Sequence, residues 1–158
     1  MAPRPPWRAV LAGTAAAALG FTVLSPVSAF AAGTDYESEA ATIGQGVVES
    51  NHAGYSGTGF VNFDNVVGSY VEYSVNAAQA GTHTLTFRYA NGTTADRLSD
   101  ISVNGTIVSN GRPFPSTGDW TSWTTTSLPV TLNAGSNTVR VTGTTANGAA
   151  NLDNISIG

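Results

Sequence analysis

Apolar and polar residues alternate with a period of two through much of the chain, the spacing of a β-strand with one buried face. The pattern is clearest at Thr82–Tyr89, where His83, Leu85, Phe87 and Tyr89 share one face and Thr84, Thr86 and Arg88 the other. Val71, Tyr73 and Val75 do the same within Tyr70–Val75, and Val139 and Val141 alternate with Thr138, Arg140 and Thr142. Shorter strands are predicted at Tyr36–Ala40, Thr42–Ile43, Val47–Val48, Phe60–Phe63, Thr124–Leu128, Val130–Leu132 and Leu152–Ile157. Ile101 and Val103 lead through Asn104-Gly105 into Ile107-Val108, a dipeptide that favours a type I′ hairpin turn. Polar, glycine-rich loops are expected at Asn51–Gly59, Asn91–Ser99, Gly111–Asp119 and Asn147–Asn151. No stretch after the first thirty or so residues carries a helical period. Many short strands without helices predict an all-β fold, an antiparallel β-sandwich or jelly roll formed as a single domain.

The amino-terminal segment has a different composition. Arg4 and Arg8 precede an apolar, alanine-rich run from Val10 to Leu24, and Ala29-Phe30-Ala31 supplies small residues for cleavage. This reads as a secretory signal peptide over residues 1–31, followed by a secreted, extracellular module over 32–158. The chain contains no cysteine, so a disulfide framework is excluded and robustness must come from packing or a bound metal. Lys and Arg number 6 against 10 Asp and Glu, with no lysine, for a net charge of −4. Without clustered cations, neither nucleic acid nor an anionic membrane is a suitable partner. Three Asn-x-Ser/Thr sequons stand at Asn91, Asn104 and Asn154.

Two groups of residues carry candidate chemistry. Glu37 and Glu39, two apart, place both carboxylates on one face of a strand, and Asp153 shares a face with Ile155 and Ile157 in the last strand. First and last strands are often neighbours in sandwiches, so the three acids could converge. Their mutual repulsion would call for a cation, and calcium accepts roughly six to eight oxygen ligands; three solvated surface acids are the alternative. Around Thr117-Gly118-Asp119-Trp120-Thr121-Ser122-Trp123, a turn hands into two tryptophans. On a strand beginning near Trp120 they would face opposite sides, Trp120 displayed at the turn and Trp123 packed inside. Trp120, Tyr55, Asn91 and Asn151 offer the aromatic faces and amides that a sugar ring with its hydroxyls would use. Core packing and turn formation are the competing roles. Catalysis has little support. His83 fits a strand position and His52 a loop without a framed nucleophile. Gly54-Tyr55-Ser56-Gly57 lacks the second glycine and the helix of a nucleophile elbow, and no carboxylate pair stands out.

The order of these segments resembles a known family. Tyr36-Glu37-Ser38-Glu39, His52–Val61, Tyr70–Val75, Ala80–Gly92, Thr117–Trp123, Leu132–Arg140 and Asn151-Leu152-Asp153 together resemble the non-catalytic carbohydrate-binding modules of families 35 and 6. The wording Arg88-Tyr89-Ala90-Asn91-Gly92 and Asn151-Leu152-Asp153 is closer to family 35. The resemblance implies a jelly roll with a structural calcium ion held by Glu37, Glu39 and Asp153; Ser38 departs from the more usual alanine. It also implies a sugar site at one end of the sandwich. Trp120 and Asn151 match the family's loop tryptophan and final amide, and Tyr55, Asn91 and Arg97 match loop positions. An arginine there would suit a uronate carboxylate through a bidentate contact. The expected ligand is a polysaccharide or oligosaccharide of uronic-acid-containing, xylan, mannan or galactan type, and a separate secreted glycoside hydrolase is an expected associate. A structural or adhesive sandwich recognising a protein or cell surface is the alternative.

Overall fold

The computed structural model describes residues 33–158, with Met1 and Ala2; the expected signal peptide lies outside the described residues. Two antiparallel sheets face each other. One contains β3 (Gly46–Glu49), β4 (Phe60–Phe63), β11 (Asn151–Ile157), β6 (Gly81–Ala90) and β9 (Thr124–Leu132) in that order, with β1 (Thr34–Glu37) also paired to β11. The other runs β2 (Thr42–Gly44), β5 (Tyr70–Ala77), β10 (Gly135–Gly143), β7 (Arg97–Val103) and β8 (Thr106–Phe114). This is the β-sandwich that the alternation predicts.

The inward positions of the central strands fill the space between the sheets. Val71, Tyr73 and Val75 of β5, Leu85, Phe87 and Tyr89 of β6, and Val139 and Val141 of β10 are all buried. Phe114, at the end of edge strand β8, closes the core by meeting Phe87 and Tyr89 edge-on, with ring centroids 5.7 and 5.0 Å away. Asn104 and Gly105 adopt φ of 50° and 80°, the two left-handed residues that a type I′ turn requires. Pro129 lies within β9, which among the described strands pairs with β6 alone. An edge strand tolerates the missing N–H.

Four local expectations need correction. The first strand ends at Glu37, and Ser38–Ala40 forms a single 3₁₀ turn. Glu37 and Glu39 therefore do not share a strand face. Ser38 is turned inward, where its hydroxyl lies 2.5 Å from the buried Tyr73 hydroxyl, a polar group that needs a partner there. Secondly, β11 is bulged between Leu152 and Asn154. The extra residue, Asp153, bonds Arg88 and Asn154, whereas Ile155 and Ile157 join the core. Thirdly, β9 begins at Thr124, so both tryptophans lie in the preceding loop. Fourthly, β7 begins at Arg97, inside the expected Asn91–Ser99 loop, because Arg97 and Ser99 occupy buried strand positions.

Candidate functional site

The Asn51–Gly59 loop joins two clusters at one end of the sandwich. Its amino-terminal half lines a cleft of about 290 Å³. Asn51 and His52 come from the loop, Glu49 and Asn62 from β3 and β4, Asn151 from the start of β11, and Arg97 from the start of β7. Asn65 and Trp120 complete the lining. Trp120 owes its position to Gly92: a Cβ there would lie 2.5 Å from the indole Cδ1, so only glycine lets the ring lie against this backbone. The Arg97 guanidinium carbon sits 5.2 Å from the Trp120 ring centroid, and the His52 ring stacks at 6.1 Å, inclined by 23°. At the turn before Trp120, Asp119 Oδ1 accepts hydrogen bonds from the Thr121 N–H and hydroxyl, both at 2.7 Å. The backbone bond, then the hydroxyl, holds that carboxyl below the usual range.

Arg97 carries the unusual electrostatics. It is 8% exposed, and Nη1 donates to the Ala149 carbonyl at 3.1 Å, to Asn65 Oδ1 at 3.3 Å and to the Asn147 carbonyl. Among the described residues its Nε has no partner, and no carboxylate lies within ion-pair distance of it. Burial pulls its guanidinium below the ordinary value. A desolvated cation without a counter-charge favours an anion. Beside it, Asn151 is 2% exposed and its Oδ1 has no hydrogen-bond partner. An aromatic ring, a cation and an unpartnered amide oxygen can together receive a sugar ring, a hydroxyl and a carboxylate.

Of the residues expected here, Trp120, Asn151 and Arg97 come together in the cleft, and two do not reach it. Asn91 is fully buried, its amide donating to the Ala95 and Phe114 carbonyls and accepting from the N–H and hydroxyl of Thr93. All its capacity goes into shaping the loop that carries Gly92. Tyr55 packs at 5.9 Å against Phe60 and is not among the lining residues. Glu49, Asn51, His52, Asn62 and Asn65 were not expected in the site. Their only sequence signal is a run of polar and amide residues flanking two short strands, which also describes a solvated rim. Trp123 packs 5.3 Å from Phe60 and donates to the Ala53 carbonyl at 3.0 Å, anchoring the loop.

The carboxy-terminal half of the same loop meets the acids. The Ser56 N–H donates to Asp153 Oδ1 at 2.8 Å, and its hydroxyl lies 2.9 Å from Glu37 Oε2 and 3.2 Å from Asp153 Oδ2. The Thr58 N–H donates to Glu39 Oε1 at 2.7 Å. Between them Gly57 (φ +61°) lies against the carboxylates, where a Cβ would stand 2.1 Å from Glu39 Oε1 and 3.2 Å from Glu37 Oε2. Burial raises the Glu37 carboxyl above its ordinary value, with Glu39, Asp153 and Asp35 adding to the effect against the Ser56 bond. Glu39 Oε2 is buried without a partner among the described residues. An all-oxygen donor set, an orphaned carboxylate oxygen and a glycine cradle fit a hard cation such as calcium. Among the described residues, however, no three acidic or histidine side chains are already gathered as a coordination group, and Arg88 engages Asp153.

A separate cavity of about 170 Å³ between β1 and the β2–β5 edge is lined by Tyr36, Glu37, Thr42, Glu72 and Tyr73, among others. Two of its polar groups are engaged internally, Tyr36 with the Asn76 backbone and Glu72 with Arg140.

The model of the carbohydrate binding module (family 6) matches residues 37–158. The exo-beta-D-glucosaminidase of Amycolatopsis orientalis is 57% identical over 123 residues, which is 78% of this chain and 12% of that enzyme. A family 35 carbohydrate binding module from Clostridium thermocellum has the same fold with a TM-score of 0.79 at 42% identity, over 80% of this chain and 98% of that one. A family 35 module in complex with a glucuronic acid-containing disaccharide gives 0.70 at 36% identity, over 78% and 91% of the two chains. The chain spans between 8% and 19% of the lengths of the enzymes it matches. It belongs to the carbohydrate-binding modules of family 6, and its described β-sandwich is that of the family 35 modules.

Proposed function

We propose that this module binds a uronic acid-containing polysaccharide in the cleft between Trp120 and Asn151. The observation that carries the reading is Arg97, a buried cation with no carboxylate partner among the described residues, stacked beside an aromatic ring. The sugar ring lies on the exposed part of Trp120, its carboxylate faces Arg97, and its hydroxyls reach Asn151 and the neighbouring amides. The glucuronic acid-containing disaccharide held by a family 35 relative supports the same ligand class. A structural calcium ion at Glu37, Glu39 and Asp153 is the second part of the proposal. Such an ion would neutralise the three acids and fix the Ser56–Thr58 turn. The module is secreted, works by binding alone, and serves a carbohydrate-active enzyme.

A glycan array screened with purified protein in calcium and again in EDTA tests this. Glucuronic- and galacturonic-acid oligosaccharides are expected to bind in preference to neutral xylan, mannan and galactan. Equal binding of neutral chains would remove the role given to Arg97. A blank array from folded protein would move the function to protein or cell-surface recognition. Gly92→Ala provides a check that touches no ligand: its methyl group must push Trp120 off its seat. Roughly tenfold weaker uronate binding is expected in a titration, since a misplaced aromatic forfeits part of its stacking. Unchanged affinity would mean that Trp120 is not the platform.

A further inference from the structure

Arg88 projects from β6 on the face opposite Phe87 and is shared three ways. Nη1 donates to Asp153 Oδ2, Nη2 donates to the Gly54 carbonyl at 2.7 Å, and the guanidinium carbon lies 5.4 Å from the Trp123 ring centroid. Asp153 is completely buried, whereas the Arg88 side chain is 30% exposed. One guanidinium thus ties the carboxylate cluster to the loop that lines the sugar cleft. Its two acceptors, a carboxylate and a backbone carbonyl, are the donors that a hard cation selects.

The charge in this cluster is only partly compensated. Glu37 Oε2 and Asp153 Oδ2 both approach the Ser56 hydroxyl, which has one proton to give. Glu39 Oε2 has none. Among the described residues, Arg88 is the one guanidinium in ion-pair contact with these three carboxylates, and it already engages one of the oxygens a metal would require. We propose that Arg88 is an internal counter-cation: it keeps Asp153 and the Gly54–Thr58 turn in place in the metal-free protein, and it opposes calcium by like-charge repulsion at the same carboxylate. This rests on the calcium reading above. Arg88 thereby sets the affinity of the metal site and limits how far the protein loosens when the ion is withdrawn.

Calcium chloride titrated calorimetrically into wild-type protein and Arg88→Met, with thermal unfolding of both in EDTA and in excess calcium, tests the proposal. Methionine keeps the apolar stem over Trp123 and removes the charge. About tenfold tighter calcium binding is expected for Arg88→Met, because a nearby positive charge no longer opposes the ion. In EDTA its unfolding midpoint should fall below that of wild type, and excess calcium should close most of the gap by mass action. Should Arg88→Met fail to fold in EDTA, it is titrated from the calcium-loaded state by chelator competition. Arg88→Lys, which keeps the charge without the fork, should bind calcium close to wild type. Calcium binding by wild type with equal or weaker binding by Arg88→Met overturns the counter-cation role alone. No calcium binding by either protein overturns the metal site and this proposal together, so the two failures are distinguishable.

Discussion

Asp153→Ala is expected to destabilise the domain by about 3 kcal/mol, the low end of the range for breaking a buried ion pair. That lowers the unfolding midpoint by about 10 °C in a domain of this size. Asp153 is fully buried and accepts from Arg88, from the Ser56 N–H and from Asn154. Removing the carboxylate leaves an N–H without its acceptor and a guanidinium without its counter-charge. Arg88 is 30% exposed, so it can turn to water, which keeps the loss below that of a fully enclosed pair. Asp153→Asn should recover little. In one orientation the amide oxygen keeps the Ser56 bond and the amide donor faces the guanidinium donor; in the other the oxygen faces Arg88 and the Ser56 N–H meets a donor. Thermal unfolding beside Asp35→Ala, a change at an exposed strand position, gives the comparison. If both variants unfold within a degree of each other, Asp153 contributes nothing special. A double cycle with Arg88→Met should be strongly non-additive, since the two residues share one interaction.

The sandwich was legible wherever one face of a strand is apolar and the other is not. Val71-Tyr73-Val75 and Leu85-Phe87-Tyr89 announce their orientation because period two and burial coincide. Legibility failed where a polar residue takes an inward position for a specific partner. Ser38 turns in to the Tyr73 hydroxyl and breaks the first strand. Arg97 and Ser99 are buried at the start of β7, so alternation reads them as loop. The bulge at Asp153 has no compositional mark. It moves a carboxylate from the face that counting predicts to the face where Arg88 stands.

The candidate site divides in the same way. An aromatic after a turn, an amide at the start of the last strand and an arginine in a loop are recognisable types, and the fold gathers Trp120, Asn151 and Arg97. Asn91 is of the same type as Asn151, yet its amide is spent on carbonyls of its own loop. No residue type distinguishes an amide that builds a loop from one that faces a ligand; only the hydrogen-bond accounting does. Conversely, Glu49 and Asn62 enter the cleft from the paired strands β3 and β4, Glu49 Oε2 accepting from the Asn62 amide at 3.0 Å. Sequence alone renders such a pair as solvated surface.

Trp120→Ala should reduce affinity for a glucuronic acid-containing oligosaccharide by about ten- to a hundredfold, with a smaller effect on folding. An aromatic platform stacked on a planar ligand contributes about 1–3 kcal/mol by analogy with base stacking. Here the indole has a second role, because the Arg97 guanidinium rests 5.2 Å from its centroid. Losing the ring removes the stacking surface and frees one side of the cation that faces the carboxylate, which places the expectation at the upper end of the range. Trp120→Phe should keep part of the platform and recover part of the affinity. Trp123→Ala separates binding from packing. That indole touches Phe60 and Arg88 and bonds the Ala53 carbonyl, so its loss should lower the unfolding midpoint more than Trp120→Ala does. Calorimetric titration with parallel thermal unfolding distinguishes the two tryptophans. Should Trp120→Ala bind as tightly as wild type, the cleft does not hold the sugar by stacking, and Trp120 is a support for Arg97 alone.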